Sequence, residues 1–295
     1  MFDSNYYSSF FSELKRIWPA FDEYIFVVHS LAPLAPTPDF TIKGPNVILI
    51  ITSDQSGRTF DRAFRRQFFA VIRTHLQTDG AVDNLLPFPL GDSIATENIV
   101  PPSFEKRTWD AGFIGCLNNN RIDLFRSMTP LKLLPPWPLK SAFTKKVYGR
   151  ILHLFSSRRT HDFKQFDKLY FTFTSGFAKG LPPDEYGRLL ADTKIVICPK
   201  GFIRAECYRI FEAMRLGSII IADELPEQPW YIGSPIIIQK NWLKIHDTIR
   251  ALQNAPDKMR EIHHDTLTWW ETVCSPQAVA HYMLGKFMEL TKNTH

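Results

Sequence analysis

The sequence predicts an α/β protein with a parallel, doubly wound sheet, and three observations lead to this fold class. Short apolar runs rich in β-branched residues, such as residues 46–52 and 195–198, have the composition of buried strands. Residues 194–224 follow a strand–loop–helix–strand order, which builds parallel sheets because parallel neighbours need a crossover connection. The length of 295 residues allows two domains.

The first half of the chain alternates apolar segments with proline-rich ones. A loop is predicted at residues 32–40 and an inter-domain linker at residues 94–108. Residues 60–77 carry arginines between apolar positions and predict a basic amphipathic helix. The other predicted elements are a helix at residues 10–17 and strands at residues 24–31, 46–52 and 83–86.

The second half continues the alternation of strands and helices. Gly217 follows a helical stretch and predicts its C-terminal cap. Residues 135–159 are basic and show no clear period, and residues 147–155 within them are helical or extended. The predicted strands are residues 112–116, 169–174, 195–198, 218–222 and 235–239. The predicted helices are residues 122–128, 183–190, 204–216, 242–253, 259–273 and 276–290.

Five charged residues follow the strand at residues 195–198, in the loop and the first turns of the predicted helix. They are Lys200, Arg204, Glu206, Arg209 and Glu212. A helix N-terminus attracts phosphate through its free backbone N–H groups and its dipole, and Arg and Lys add charge. A carboxylate in the same helix can accept two hydrogen bonds from a ribose diol. The alternative is a solvated helix face on which Arg209 pairs with Glu212.

The net charge of +5 indicates a basic surface that would suit nucleic acid, an anionic membrane or an anionic sugar donor. Much of this charge lies in residues 62–66 and 140–159. No basic run is interleaved with aromatic residues as in RNA-binding proteins, so nucleic acid is not an expected partner. Contact with a membrane surface stays open.

The four cysteines predict a reducing compartment. None of them has a CxxC spacing, which argues against a structural zinc site. Cys116 and Cys198 lie at predicted strand ends and are expected to be small buried hydrophobes. No run of about 18 apolar residues predicts a membrane span, and the first residues lack the charged start of a signal peptide. We therefore expect a cytoplasmic protein.

The segment C-Y-R-I-F-E-A-M-R-L-G-S-I-I-I at residues 207–221 resembles the donor-site signature of exostosin-like glycosyltransferases. In that family a C-P-[KR]-G loop precedes R-[LIF]-[FW]-E-A-[LM] and then G-[CS]-I-P-[IV]. This chain has Ile220 where the family has proline. The likeness is specific over residues 185–241 and traceable over residues 46–121. Since animal members carry a membrane anchor, the chain looks more like soluble bacterial or viral members.

The resemblance implies the GT-B fold, which has two Rossmann-like domains with parallel sheets facing a cleft. It implies an acceptor-side N-terminal domain at residues 1–105 and a donor-binding domain at residues 106–275. The last helix, within residues 276–295, is expected to cross back onto the first domain.

The resemblance also implies a function. The chain would transfer a sugar from a nucleoside diphosphate donor to a hydroxyl group of a glycan acceptor, as a hexosyl- or pentosyltransferase. The family favours UDP-sugars, such as UDP-xylose, UDP-glucuronate or UDP-GlcNAc. The alternatives are a non-catalytic module that binds nucleotide-sugar or glycan, and a GT-B transferase that uses a GDP-sugar.

The same resemblance distributes roles over the donor site. Arg209 would face the diphosphate and Glu212 the ribose, while Lys200 and Arg204 would supply further phosphate or base contacts. The remaining donor-site candidates are Glu206, Arg121, Asp223 and Glu224. For Arg121 a surface position is an equal alternative to a phosphate contact, and Asp223 and Glu224 would contact sugar hydroxyls or be loop charges.

Two missing motifs bear on the expected mechanism. The sequence has no D-x-D motif, and we expect a site that needs neither a metal nor another cofactor. The E-x7-E pattern of retaining relatives does not fit Glu206, Glu212 and Glu224, which favours inversion.

Inversion needs a base that deprotonates the acceptor hydroxyl. Asp54 is the first candidate, because it directly follows a buried strand at the sheet edge where ligands bind. His29 is the second and Asp92 the third. The alternatives are a turn or N-cap aspartate for Asp54 and a hydrogen-bonded, half-buried histidine for His29.

Overall fold

The computed structural model describes residues 5–31, 35–36, 38–56, 60–76, 83–127, 143, 147, 168–174 and 180–292. Apart from residues 143 and 147, the basic segment at residues 135–159 lies outside this part of the chain. Contacts group the chain into two compact units. Unit 1 comprises Met1–Gly91, Pro226–Ser234 and Trp270–His295, and unit 2 comprises Asp92–Leu225 and Pro235–Trp269. The predicted linker at residues 94–108 thus packs with unit 2.

Unit 1 contains a four-stranded parallel sheet with the spatial order β1-β2-β3-β4. Its strands are β1 Ile25–Ser30, β2 Gly44–Thr52, β3 Phe68–Arg73 and β4 Leu85–Pro87. Its helices are α1 Asn5–Ile17, the short α2 Arg62–Arg65 and α8 Pro276–Lys292. The second half of β2 is buried throughout because strands pair with it on both sides, so its apolar run is nearly continuous.

The basic helix predicted at residues 60–77 is wrong. Within residues 60–76, the described part of this segment, only Arg62–Arg65 is α-helical, with the Asp61 carboxylate accepting the backbone N–H of Phe64 at 2.7 Å. Phe68–Arg73 is a strand between β2 and β4. The prediction treated the arginines as solvent-facing. In fact Arg65 and Arg73 are buried; Arg65 pairs with Asp83, just before β4, and Arg73 with Asp54, just after β2.

The C-terminal helix belongs to unit 1. Helix α8 packs on α1, and the rings of Trp18 and Phe287 stack with centroids 5.0 Å apart. The Tyr6 hydroxyl donates to the carbonyl of Cys274 at 2.8 Å, which fixes the π-helical turn Trp270–Cys274 that precedes α8. These contacts bury the aromatic face of α1, whose side chains Tyr6, Phe10 and Leu14 are almost inaccessible.

Unit 2 contains a five-stranded parallel sheet with the order β6-β5-β7-β8-β9. Its strands are β5 Trp109–Cys116, β6 Leu169–Thr174, β7 Thr193–Cys198, β8 Ile219–Ala222 and β9 Ile237–Ile238. Its helices are α3 Ile122–Ser127, α4 Pro183–Ala191, α5 Tyr208–Arg215, α6 Ile245–Gln253 and α7 Pro256–Trp269. The two parallel sheets confirm the predicted α/β fold class.

The strand order of unit 2 reverses between β5 and β7. The chain runs from β5 to β6 on one side and then returns to β7 on the other side. In open α/β sheets, ligands bind outside the carboxyl ends of the strands at such a switch point. The loops that follow Cys116 and Cys198 are therefore where a ligand is expected.

Helix α5 begins later than predicted and ends where predicted. Cys207 is its N-cap and has extended backbone angles (φ −150°, ψ 155°), so residues 204–206 lie in the loop before the helix. Gly217 has φ +66°, and the N–H of Ser218 donates to the carbonyl of Ala213 at 2.9 Å. This geometry is the glycine-capped helix end that the sequence predicts.

A search of the described helices finds none with the length and apolar character that crossing a bilayer requires.

Candidate functional site

The loop at residues 199–204, which follows β7, forms one side of the switch point. Arg121, in the loop after β5, ties it down from the other side. Its Nε donates to the carbonyl of Lys200 at 3.0 Å, its Nη2 to that of Pro199 at 3.2 Å, and its Nη1 to that of Cys116 at 2.8 Å. Arg121 is buried and holds the two strand ends together, while its predicted contact with phosphate stays a prediction.

Two more side chains fix the same loop. The amide of Asn120 donates to the carbonyls of Gly201 at 2.6 Å and Phe202 at 3.3 Å. Asp223, at the end of β8, accepts the backbone N–H of Lys200 at 2.5 Å and the indole N–H of Trp242 at 2.9 Å. Both carboxylate oxygens of Asp223 therefore have structural partners. Its neighbour Glu224 is exposed.

Arg209 lies in the first turn of α5 and reaches back over β5. Its guanidinium is 4.9 Å from the ring centroid of Phe113, and its Nη2 donates to the carbonyl of Ile114. Within the described residues, its buried Nε and Nη1 have no acceptor in hydrogen-bonding geometry, although Tyr186 lies close. Unsatisfied buried donors of this kind are costly, and a bound anion would satisfy them.

Two guanidinium groups meet above Gly115. A Cβ atom at this glycine would lie 3.0 Å from Nη1 of Arg121 and 3.3 Å from Nη2 of Arg209, so a larger residue would displace them. Burial, and then the charge of Arg209, lower the pKa of Arg121. The site thus concentrates positive charge that an anionic ligand would offset.

Glu212 faces two hydroxyl groups. Its Oε1 accepts the hydroxyl of Ser93, and its Oε2 accepts the hydroxyl of Tyr186 at 2.9 Å. The side chain is buried, which raises its pKa, while both hydrogen bonds and the charge of Arg209 oppose that rise. No local sequence signal links Ser93 or Tyr186 to Glu212, because they lie 119 and 26 positions away.

Asp92 lies beside the same carboxylate. It is buried and pairs with Nε of Arg215 at 3.2 Å, while the other guanidinium nitrogens of Arg215 donate to the carbonyls of Thr96 and Glu97. Burial raises the pKa of Asp92 to about 6 against the opposing charge of Arg215, and Glu212 adds to the rise. The third base candidate is thus an acid poised near neutral pH.

The remaining donor-site candidates surround α5. Lys200 and Arg204 are half-buried, and Glu206 is buried. The carbonyl of Arg204 accepts the N–H of Gly201 at 2.8 Å, which closes the loop as a tight turn. The structure therefore brings Lys200, Arg121, Arg209 and Asp223 to one edge of unit 2, with Glu212 one turn farther along α5.

The cysteines of this edge are buried or half-buried, as expected for Cys116 and Cys198. The thiols of Cys198 and Cys207 lie close enough to influence each other's pKa. The hydrogen bond from Cys198, followed by the charges of Arg209 and Arg121, lowers the pKa of Cys207 to about 6. The charges of Arg209 and Arg121 thus add to an effect that the hydrogen bond from Cys198 dominates.

In unit 1 the first candidate base, Asp54, lies in a closed network. It is fully buried, and its Oδ2 accepts Nη2 of the equally buried Arg73 at 3.1 Å. Its Oδ1 accepts the N–H of Ser56 at 3.0 Å and the hydroxyl of the same residue. Burial would raise the pKa of Asp54, but the hydrogen bonds from Ser56 and the charge of Arg73 outweigh it and lower the pKa. These surroundings weaken Asp54 as a proton acceptor, and its catalytic role stays a prediction.

The second candidate base, His29, is half-buried near the end of β1. Its ring packs edge-to-face on Phe40 with centroids 5.3 Å apart. Its role also stays a prediction.

No protein-family model matches the sequence, and no curated protein matches it. Solved structures give distant likenesses. A glycosyltransferase from Rickettsia africae ESF-5 has a TM-score of 0.48 and 13% identity, over 96% of this chain and 82% of that one. Anabaena HepE in complex with UDP and glucose has a TM-score of 0.47 and 12% identity, over 82% and 72% of the two chains. Sucrose-phosphate synthase from Thermosynechococcus elongatus has a TM-score of 0.46 and 12% identity, over 84% and 69%. At these values the likenesses do not assign a function to this chain.

Proposed function

We propose that this chain is a glycosyltransferase, which transfers a sugar from a nucleoside diphosphate donor to a hydroxyl group of a glycan. The observation that carries the proposal is the cluster of cationic side chains at the switch point of unit 2, next to the N-terminus of α5. The exostosin-like signature at residues 207–221 supports the same assignment independently of this geometry.

The diphosphate would bind at Arg209. Within the part of the chain that the structure describes, this residue has buried N–H groups without acceptors, and its guanidinium lies near that of the cationic Arg121. Phosphate oxygens would accept hydrogen bonds from these N–H groups, and the phosphate charge would offset the repulsion between the two guanidinium groups. Charge-assisted hydrogen bonds to phosphate are among the strongest in proteins. Lys200 and Arg204 would add charge, and the backbone N–H groups at the start of α5 would add donors. These groups would stabilise the leaving diphosphate without a metal ion.

The ribose would bind at Glu212. A carboxylate has about four lone-pair directions, so it can accept more hydrogen bonds than the two that Ser93 and Tyr186 donate. A ribose diol would either add to these hydroxyls or replace that of Ser93. Buried carboxylates that accept hydrogen bonds discriminate strongly against ligands that lack the donor.

The donor class and the stereochemistry follow from the resemblance. It favours a UDP-sugar, such as UDP-xylose, UDP-glucuronate or UDP-GlcNAc, and the missing E-x7-E pattern favours inversion. A GDP-sugar is the alternative donor. Neither the identity of the sugar nor that of the acceptor follows from the residues of the site.

One observation favours a second candidate function, a non-catalytic module that binds a nucleotide-sugar. The negative charge of Asp54 is compensated by the ion pair with Arg73, which weakens the first candidate base as a proton acceptor. If neither His29 nor another group supplies that base, the cationic edge would bind a donor without transferring the sugar.

A panel of nucleotides and nucleotide-sugars tests the proposal. Binding should raise the melting temperature of the full chain, with UDP-sugars above GDP-sugars. Release of sugar from the stabilising donor to water, followed by chromatography, then separates an enzyme from a binding module. If no nucleoside diphosphate shifts the melting temperature, both candidate functions are wrong.

A further inference from the structure

The 199–204 loop exposes two apolar side chains at its tip. Phe202 is 60% exposed and Ile203 is 38% exposed. Both lie at the edge of the sheet where a ligand is expected. A single exposed aromatic residue on a protein surface needs no explanation. The backbone that carries this one, however, is held by side chains from two neighbouring strand ends.

Six of the hydrogen bonds that the structure describes anchor this short loop. Arg121 and Asn120 contribute two each from the β5 side. Asp223 contributes one from the β8 side, and the turn between Gly201 and Arg204 contributes one within the loop. An aromatic ring on such a backbone is pre-organised, so a ligand that covers it loses little conformational freedom on binding.

Two cationic residues flank Phe202 in the sequence of the loop. Lys200 and Arg204 each lie two residues from Phe202, and two residues span at most about 7 Å. A short loop that carries an exposed apolar ring and two cationic residues suits a ligand that combines a flat aromatic group with anionic groups. A nucleotide has this composition, because its base carries the aromatic faces and its phosphates carry the charge.

We propose that Phe202 is the stacking platform for the nucleobase of the donor. The inference rests on the function proposed above and deepens it. Arg209 is proposed to bind the diphosphate and Glu212 the ribose, so the base is the part of the nucleotide that neither of them would contact. Stacking on an aromatic ring tolerates every base, since each base has a π face. Phe202 would therefore set the affinity for the nucleoside, and it would not by itself select uracil.

Isothermal titration of the full chain with UDP and with inorganic pyrophosphate tests this role. Phe202→Ala should weaken UDP binding about ten- to a hundredfold, while the affinity for pyrophosphate stays within about twofold of wild type. Phe202→Trp should keep or improve UDP binding, because the indole presents a larger face. Val100→Ala, which truncates a 90% exposed side chain elsewhere in unit 2, is the matched control and should change neither affinity.

Two results would overturn the inference. One is an equal loss of UDP and pyrophosphate binding in Phe202→Ala, which would indicate a disturbed loop. The other is unchanged UDP affinity in Phe202→Ala; a simultaneous loss of binding to phosphatidylserine vesicles would then make the tip a membrane contact. Failure of the proposed function looks different, because the wild-type chain itself would then bind neither UDP nor pyrophosphate.

Discussion

The two units carry polar residues at the same place in their sheets but use them in opposite ways. At the carboxyl ends of β2 and β3, Asp54 and Arg73 form an ion pair in which both side chains are fully buried. At the carboxyl ends of β5 and β7, Arg209 and Arg121 crowd together, and their nearest partners are mostly backbone carbonyls. The first arrangement pairs opposite charges, whereas the second brings like charges together, which a bound anion would offset as the proposed function requires.

The comparison also shows that a neighbouring arginine does not by itself determine whether the pKa of a carboxyl group is lowered or raised. Asp54 accepts hydrogen bonds from Ser56 as well as Arg73, and its pKa is lowered. Asp92 pairs with Arg215 but lies near the carboxylate of Glu212, and its pKa is raised to about 6. The balance between burial and the full set of neighbours determines the direction of the shift.

The largest effect is expected from breaking the closed pair in unit 1. Arg73→Met leaves the carboxylate of Asp54 buried without its counter-charge, which should lower the free energy of unfolding by about 3–5 kcal/mol. Urea denaturation followed by circular dichroism measures this loss. Arg66→Met removes an exposed arginine of the same segment and should stay within about 0.5 kcal/mol of wild type. Equal losses in the two variants would show that the pair does not stabilise unit 1.

The opposite pattern is expected for the cationic edge of unit 2. Arg209→Ala removes a guanidinium with unsatisfied donors, so UDP affinity should fall about a hundredfold or more while the folded state persists. Calorimetric titration measures the affinity. Arg188→Ala, which removes an exposed arginine of α4 that pairs with Asp184, is the matched control and should bind UDP like wild type. Unchanged affinity in Arg209→Ala would place the nucleotide site elsewhere.

The sequence predicted the strands of unit 2 well because their signal is local. Leu169–Thr174 alternates apolar and polar residues and has the predicted bounds, and the cap at Gly217 follows from one residue type. The helix predicted at residues 60–77 failed because its apparent amphipathicity depended on where the arginines point. Arg65 and Arg73 pair with carboxylates 18 and 19 positions away, which no local pattern reveals.

The residues of the candidate site likewise fall into those that the sequence could predict and those that it could not. The cations after β7 were predictable because they follow a strand directly, as ligand-binding loops do in parallel sheets. The partners of Glu212 were not predictable, because Ser93 and Tyr186 come from distant parts of the chain. Nor did the sequence indicate that Arg121 and Asp223 hold the 199–204 loop, since their hydrogen bonds go largely to its backbone.

A smaller effect is expected in how Asp92 and Asp54 make the free energy of unfolding depend on pH. An ordinary unfolded Asp has a pKa near 3.9, so a folded value of about 6 means that the folded state binds more protons between these values. Asp92 therefore reduces stability as the pH rises from about 4 to 6, whereas Asp54 adds stability that is lost as the pH falls. The unfolding free energy of Asp92→Asn, relative to wild type, should rise by about 2 kcal/mol between pH 4.5 and pH 7.

Urea denaturation of both proteins at the two pH values measures this difference. Asp247→Asn, which changes an exposed carboxyl group of α6, controls for general effects of charge. A constant difference between Asp92→Asn and wild type across this range would mean that Arg215 keeps Asp92 ionised.

The smallest effect concerns how selectively the cationic edge binds a nucleotide. Glu212→Gln keeps the volume of the side chain but replaces one carboxylate oxygen by an N–H donor, so a ribose diol would lose about one hydrogen bond. Wild type should bind UDP about tenfold more tightly than 2′,3′-dideoxy-UDP, and the variant should retain only a small part of this preference. Glu185→Gln, at an exposed glutamate of α4, should keep the full preference. If Glu212→Gln weakens both ligands equally, Glu212 serves only to orient Ser93 and Tyr186, and the ribose binds elsewhere on this edge.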